Sequence, residues 1–298
     1  MKKIFITGML MLAALCAGAQ VVNVGQLQRV EGVNSGLAVI SPDGTFVVTR
    51  HDGGLVKTDI ATGSSTRIAT GENLYGIAIS TDGTQVVYTR PSFNKKHLRY
   101  NSLESVDLGS GKTTVVVKPT RHLNAGVALS GNTVNAVANG KAQARSLDGA
   151  KAQKAPVASI NYGHLDVTVD GKTVSIDPQG RGSYLWPSVS PDGKRVVYRL
   201  SGVGTFTCNL DGSDVRPVGN YMFPVWAGND VVIGVRETEG QNQVLTAACL
   251  VAVDAATGEA QTLTADDMIV TAPSATADGT KVAFSDEKGS VYVLSLTK

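Results

Sequence analysis

The sequence predicts an all-β chain folded as a six-bladed β-propeller of four-stranded antiparallel blades, and three observations predict it. The first is a hairpin signal in Trp186 to Tyr198, WPSVSPDGKRVVY, where two β-branched runs flank a Ser-Pro-Asp-Gly turn. Proline presets φ there, aspartate bonds its own backbone, and glycine accepts a positive φ. The second is the return of that signal: AVISPDGTFVVT from Ala38, IAISTDGTQVVYT from Ile77, PSATADGTKVAF from Pro273 and a degenerate PVWAGNDVVIGV from Pro224. A spacing of roughly 40 residues is that of a radial repeat with four strands per unit. The third is negative. No stretch of the 298 residues keeps a 3.6-residue apolar period, and aromatic residues make up only 5%, which suits small blades packed with Val, Ile and Ala.

Taken in order, residues 1–19 read as a secretory signal peptide. Lys2 and Lys3 form the charged start, Ile4 to Cys16 the apolar stretch, and Ala17-Gly18-Ala19 the small-residue cleavage site before Gln20. The apolar stretch is too short to span a bilayer. Acylation of Cys16 is the rival reading, but Leu15 is bulky where a lipobox has a small residue. The expected organisation is a signal peptide over 1–19 and a single propeller domain over 20–298, exported, periplasmic or at the surface. Losing Lys2 and Lys3 from the 27 basic residues leaves 25 against 25 acidic ones. That balance argues against nucleic acid as a partner, because counterion release needs a basic surface.

Val21 to Val30 has no hairpin of its own, while the last unit, Ile269 to Lys298, supplies only three strands. Propellers remove exposed edges by lending a terminal strand to the last blade, so Val21–Val30 is expected beside Val291–Leu296. The first unit spans about Gly36 to Thr70 and the second Tyr75 to Lys118, with a long basic connection from Arg90 to Asn101. The third, about Gly126 to Ile160, is degenerate, with Ser130-Gly131-Asn132 in place of the usual turn. A hairpin around Asp170-Gly171, Asp166 to Asp177, either adds outer strands to this unit or stands as a seventh blade. The fourth unit is Trp186 to Gly219 and the fifth Phe223 to Thr264.

These SPDG-x-x-VVY units, each followed by an LDG, ATG or GSG turn, resemble the repeats of TolB-type propellers over nearly the whole mature chain. The resemblance implies a propeller without the N-terminal α/β domain of that family, since the stretch from Gln20 to Gly36 is too short to hold one. It also implies a periplasmic setting and a cell-envelope protein partner. Similar propellers precede the hydrolase domain of prolyl oligopeptidase-like enzymes, and nothing here resembles that domain. Fold likeness alone therefore leaves the function open.

No G-x-S-x-G elbow, P-loop or dinucleotide fingerprint occurs. His51, His97, His122 and His164 lack metal-ligand spacing, and the Asp-Gly turns lack the alternating carboxylates of a calcium loop. No metal or cofactor is expected. Cys208 and Cys249 fall in neighbouring units whose strands splay apart, so two buried free thiols are expected rather than a disulfide. One constellation stands out: the second strands of four units end in Arg50, Arg90, Arg199 and Arg236. The connections between units open on the same face and carry Arg121, His122, Tyr184, Trp186 and Tyr221. With His51, these form a candidate rim for a peptide or an anionic, glycan-like ligand, since arginine forks recognise carboxylates and aromatic rings give stacking area. The alternative is structural, each arginine tying one blade to the next.

The expected function is a protein- or ligand-binding module. The expected partner is a protein or peptide, of the cell envelope or glycan-associated, and the expected state is a monomer without a membrane span. Two other readings remain at this stage. One is a propeller enzyme acting on a glycan or peptide at the channel mouth, with Arg50-His51-Asp52 as the only starting triplet; the other is a purely structural or sensor propeller.

Overall fold

The computed structural model describes residues 19–51, 53–266 and 268–298. The expected signal peptide, with Cys16, lies outside the described residues, as does Asp52. Strands group into six sheets, and five of them are four-stranded antiparallel meanders. The first blade holds β2 (Ala38–Ile40), β3 (Phe46–His51), β4 (Gly54–Asp59) and β5 (Ser65–Thr70). The second holds β6 (Tyr75–Ile79), β7 (Gln85–Phe93), β8 (Arg99–Asp107) and β9 (Thr113–Thr120). The fourth blade holds β16 (Tyr184–Val189), β17 (Arg195–Leu200), β18 (Gly204–Asn209) and β19 (Arg216–Gly219). The fifth holds β20 (Met222–Ala227), β21 (Val231–Glu239), β22 (Leu245–Asp254) and β23 (Ala260–Thr262). Among the described residues no helix is long and apolar enough to cross a membrane.

The sixth blade closes the ring as the sequence predicts. Its strands β24 (Val270–Ala275), β25 (Lys281–Asp286) and β26 (Ser290–Thr297) take β1 (Asn23–Asn34) as the outer strand. Pairing runs antiparallel from Asn23 opposite Thr297 to Asn34 opposite Ser290. Val30 is buried with Val291 and Val293 of this blade and with Ala38, Ile40 and Val47 of the first. The clasp therefore completes one sheet and seals it against its neighbour.

The hairpin turns have a common construction. Ser41, Ser80, Ser190 and Thr276 donate their hydroxyls to the turn aspartates Asp43, Asp82, Asp192 and Asp278 at 2.6, 2.6, 2.7 and 2.6 Å. The same carboxylates accept the backbone N–H two residues on, and each hydroxyl oxygen accepts one from the start of the next strand. Second strands are buried on both faces because blades pack on either side, and β3, β7, β17, β21 and β25 each contain a buried run. The core is accordingly a ring of interblade layers. Phe46, Val48 and Leu55 meet Val86, Tyr88 and Val106, for example, and Val197 meets Trp226 and Val232.

The third sheet departs from the pattern. Its six strands are β10 (Leu123–Ser130), β11 (Thr133–Ala138), β12 (Lys141–Ser146), β13 (Val157–Asn161), β14 (His164–Val169) and β15 (Lys172–Ser175). They are ordered β12-β11-β10-β13-β14-β15. Two three-stranded wings thus meet at β10 and β13, which run antiparallel through one bridge, Ala125 opposite Ile160. The hairpin around Asp170-Gly171 therefore joins at the inner side, not as outer strands. Its route is set by 147–156, which crosses under the first wing. The Gln153 N–H reaches Thr133 Oγ1 at 3.0 Å and the Ala155 N–H reaches Asn135 Oδ1 at 3.2 Å. Gly126, at φ 131°, allows the wings to meet, since a Cβ there would lie 2.5 Å from the Ala158 carbonyl oxygen. Asn124 Nδ2 donates to Ser159 Oγ at 3.2 Å and to the buried Asp166 carboxylate at 3.3 Å.

Candidate functional site

In an antiparallel meander, the turns after first and third strands lie at one end, and those after second strands lie at the other with the blade-to-blade connections. Arg50, Arg90, Arg199 and Arg236 all sit late in second strands, paired opposite Leu55, Ser102, Thr205 and Cys249. They share one face of the ring, as expected. Their surroundings separate them.

Arg90 is a staple. Its Nε donates to Glu104 Oε2 at 2.9 Å and its Nη1 to the Thr70 carbonyl of the preceding blade at 2.8 Å. Glu104 also accepts from the Tyr88 hydroxyl at 3.1 Å and from Ser102 at 3.2 Å. Burial alone would pull the Arg90 guanidinium down, but Glu104 outweighs it and holds the group above its ordinary value. Arg199 donates to Asn220 Oδ1 at 2.7 Å and to the Tyr221 carbonyl at 3.2 Å, fixing the connection to the fifth blade. Burial lowers its pKa, with Glu237 opposing. Exposed Arg236 donates to Thr262 Oγ1 at 3.1 Å.

Arg50 differs from the other three. It is exposed, and among the described residues its guanidinium has no hydrogen-bond partner. It stands beside exposed His51 at an open polar cleft of about 850 Å³ over the first blade, with Asn34, Glu72 and Asn73 on its walls. Among the described residues the lining places one cation next to one carboxylate and two side-chain amides, a set suited to a polar, charged ligand. Among the described residues no group of three or more His, Cys, Asp or Glu side chains is placed to hold a metal ion.

The remaining sequence candidates divide. Arg121 and His122 are exposed on the same face but line a separate cleft of about 660 Å³ between the second and third blades. His122 Nδ1 is 3.1 Å from the Tyr162 hydroxyl. Tyr184 corrects the sequence reading. It is 1% exposed, and its hydroxyl donates to the Gly180 carbonyl and accepts the Gln179 N–H. As the first residue of β16 it points into the layer with Tyr198, 5.5 Å away between ring centroids, so it is core rather than rim. Trp186 lies within β16 at a bulge, at φ 47°, and its ring rests 4.3 Å from Phe223, which occupies the matching bulge of β20 at φ 50°. Tyr221 is half-buried. Cys208 and Cys249 are both buried and free, and burial pushes the Cys208 thiol up to about 12.

Sequence reasoning missed Glu104, whose partnership with Arg90 follows from the strand register, Tyr88 being opposite Glu104. It also missed Asn34, which the closing strand β1 brings to the cleft, and Glu72, which lies with Asn73 in the connection directly after the first blade.

No protein-family model matches the chain, and no curated protein matches it. Solved structures do. The β-propeller domain of Cps50 (Swd1) from Myceliophteria thermophila superposes with a TM-score of 0.63 at 12% identity, covering 93% of this chain and 100% of that one. TolB from Acinetobacter baumannii gives a TM-score of 0.53 at 15% identity over 80% of this chain. The fold is that of a β-propeller. The propeller spans 56% of that TolB chain. A chain of the Mitotic Checkpoint Complex gives 0.61 at 10% identity, covering 97% of the propeller and 99% of that chain. At these identities the likeness concerns the fold.

Proposed function

We propose that this propeller is an exported binding module that holds a protein or peptide partner on its arginine-bearing face, at the cleft over the first blade. The observation that carries the reading is the contrast among four equivalent arginines. Arg90, Arg199 and Arg236 are engaged within the propeller, whereas among the described residues Arg50 stands unpartnered beside His51 at a polar cleft. Repeat inheritance explains an arginine at that position, but not one held free over a cavity. An unpartnered guanidinium can give a bidentate, charge-assisted pair to a partner's carboxylate. The propellers of similar fold include one in the Mitotic Checkpoint Complex, which supports a protein partner. The TolB likeness and the signal-peptide pattern at residues 1–19 support the cell envelope as the place.

The test is a crosslinking capture from cell-envelope extract, comparing the wild type with Arg50→Ala/His51→Ala. A defined partner should be captured by the wild type and lost with the variant, whose melting temperature should match the wild type. Capture of the same set by both proteins would remove this cleft from the reading. Intact mass of the exported protein should begin at Gln20, and a lipid on Cys16 would replace the soluble form with an anchored one.

A further inference from the structure

The first wing of the third blade stops one strand short. The five other sheets place a fourth strand outermost, but β12 is the third strand of its wing and ends it. Its register is set by the two-residue hairpin Asn139-Gly140, at φ 53° and 69°, with Ala138 opposite Lys141. The residues flanking such a turn exchange their hydrogen bonds, and pairs then alternate. The N–H and C=O groups of Ala142 and Ala144 therefore point away from β11. Among the described residues they have no partner. The methyl side chains at these two positions leave the edge open to another backbone. Lys141, Gln143 and Arg145 alternate with them and are exposed.

The space where a fourth strand would run adjoins the 660 Å³ cleft between this wing and β9. Gln143 and Arg145 line it from one side, with Val117, Lys118 and Arg121 on the other. Arg145 crosses it, donating from Nη1 to the carbonyls of Val115 at 2.6 Å and Val116 at 3.1 Å. Those carbonyls orient the guanidinium without neutralising it. Among the described residues the lining holds Lys118, Arg121, Arg145 and His122 and no carboxylate. Edge strands are usually blunted by charge. Here the cations stand on the face beside the slot and leave the edge backbone itself bare.

We propose that β12 accepts an extended acidic peptide as the missing fourth strand of its wing. Main-chain hydrogen bonds to Ala142 and Ala144 would hold it, and alternate carboxylates would face Lys118, Arg121 and Arg145. This is strand addition, in which backbone pairing gives affinity and alternate side chains give selectivity. The site lies on a different blade from the Arg50 cleft and is independent of it.

The probe is a fluorescein-labelled peptide, TEVEVET, titrated into the full mature chain and read by anisotropy. Saturable binding is expected, with slower amide exchange at Ala142 and Ala144 in the complex. Ala144→Pro removes one outward N–H at a position where an edge strand tolerates proline, and should weaken binding about tenfold or more. The same peptide N-methylated at alternate residues makes that test from the ligand side, without touching the fold, and should not bind. The charge-reversed peptide TKVKVKT should also fail. Equal binding of the methylated or the lysine peptide would overturn the proposal, as would no binding of TEVEVET at about 1 mM, the weak limit for a specific contact. A concentration-dependent dimer abolished by Ala144→Pro would assign the edge to a second copy of the chain and equally overturn it.

Discussion

At the scale of single residues, the turn aspartates tie the start of each hairpin through hydrogen bonds to their carboxylates. Burial tends to raise the Asp82 carboxyl, but hydrogen bonds from Ser80, Thr84 and Asn132 outweigh it and bring the group down to about 2. Asp43, Asp192 and Asp278, in the equivalent turns, are lowered as well. A folded pKa below the unfolded value of 3.8 means that this contribution is complete above pH 4 and is lost as pH falls toward 2. The urea midpoint should be flat from pH 7 to pH 5 and drop steeply below pH 4. Asp82→Asn should cost about 1 kcal/mol at pH 7, a value reduced by solvent screening, and should make the acid branch shallower. An unchanged acid branch would show that other carboxylates govern it. The arginines give a paired prediction. Arg90→Ala leaves the buried Glu104 without its cation and should cost about 2 kcal/mol, whereas Arg50→Ala should leave the melting temperature within error. Equal losses would erase the distinction between staple and free group.

At the scale of elements, the two joints of the ring are the clasp and the doubled sheet. Val30 is 1% exposed between the last and first blades, and Val30→Ala should cost about 2 kcal/mol through lost burial and the cavity left behind. Gly126→Ala meets both a positive φ and the Ala158 carbonyl, and should cost roughly 1–3 kcal/mol. A circular dichroism melt of each variant checks both, and a neutral Gly126→Ala would mean that the wings separate freely. These joints also show what could be read in advance. The four Ser/Thr-x-Asp-Gly hairpins were legible because their hydrogen bonds close within five residues. The clasp was legible because a three-stranded last unit and an unpaired first strand leave one solution, although the strand runs Asn23–Asn34 rather than Val21–Val30. The join of β10 to β13 was not, since its ladder is a single bridge between Ala125 and Ile160 and depends on a route beneath the sheet. The burial of Tyr184 was not, because a strand's first residue can face either way until its neighbouring blade is in place. The arginine face was legible as a direction, and the fate of each arginine was not, because Asn220 lies in a blade-to-blade connection and Thr262 at the end of β23, segments with no repeat pattern in the sequence.

At the scale of the whole molecule, a closed ring distributes its core between blades, so each blade is stabilised by both neighbours. The doubled sheet is the exception, because its wings meet through one bridge and a few side-chain hydrogen bonds. Hydrogen exchange should therefore show β13 to β15 opening at lower free energy than β24 to β26. Uniform protection around the ring would contradict this. The clasp has one more consequence, and it concerns time rather than strength. Asn23 pairs with Thr297, so β1 waits for its partner until nearly the whole chain is available, and that encounter spans the longest loop the sequence can form. Contacts so distant in sequence slow folding, because chain entropy is lost before any pairing repays it. A chain emerging from synthesis lacks the cover that Val291 and Val293 give Val30 until its end is made, which is an interval open to misassociation. Joining residue 298 to residue 20 through a short linker and opening the ring between β5 and β6 would turn the slowest pairing into a local hairpin. Such a permutant should refold faster than the parent while unfolding at a similar rate.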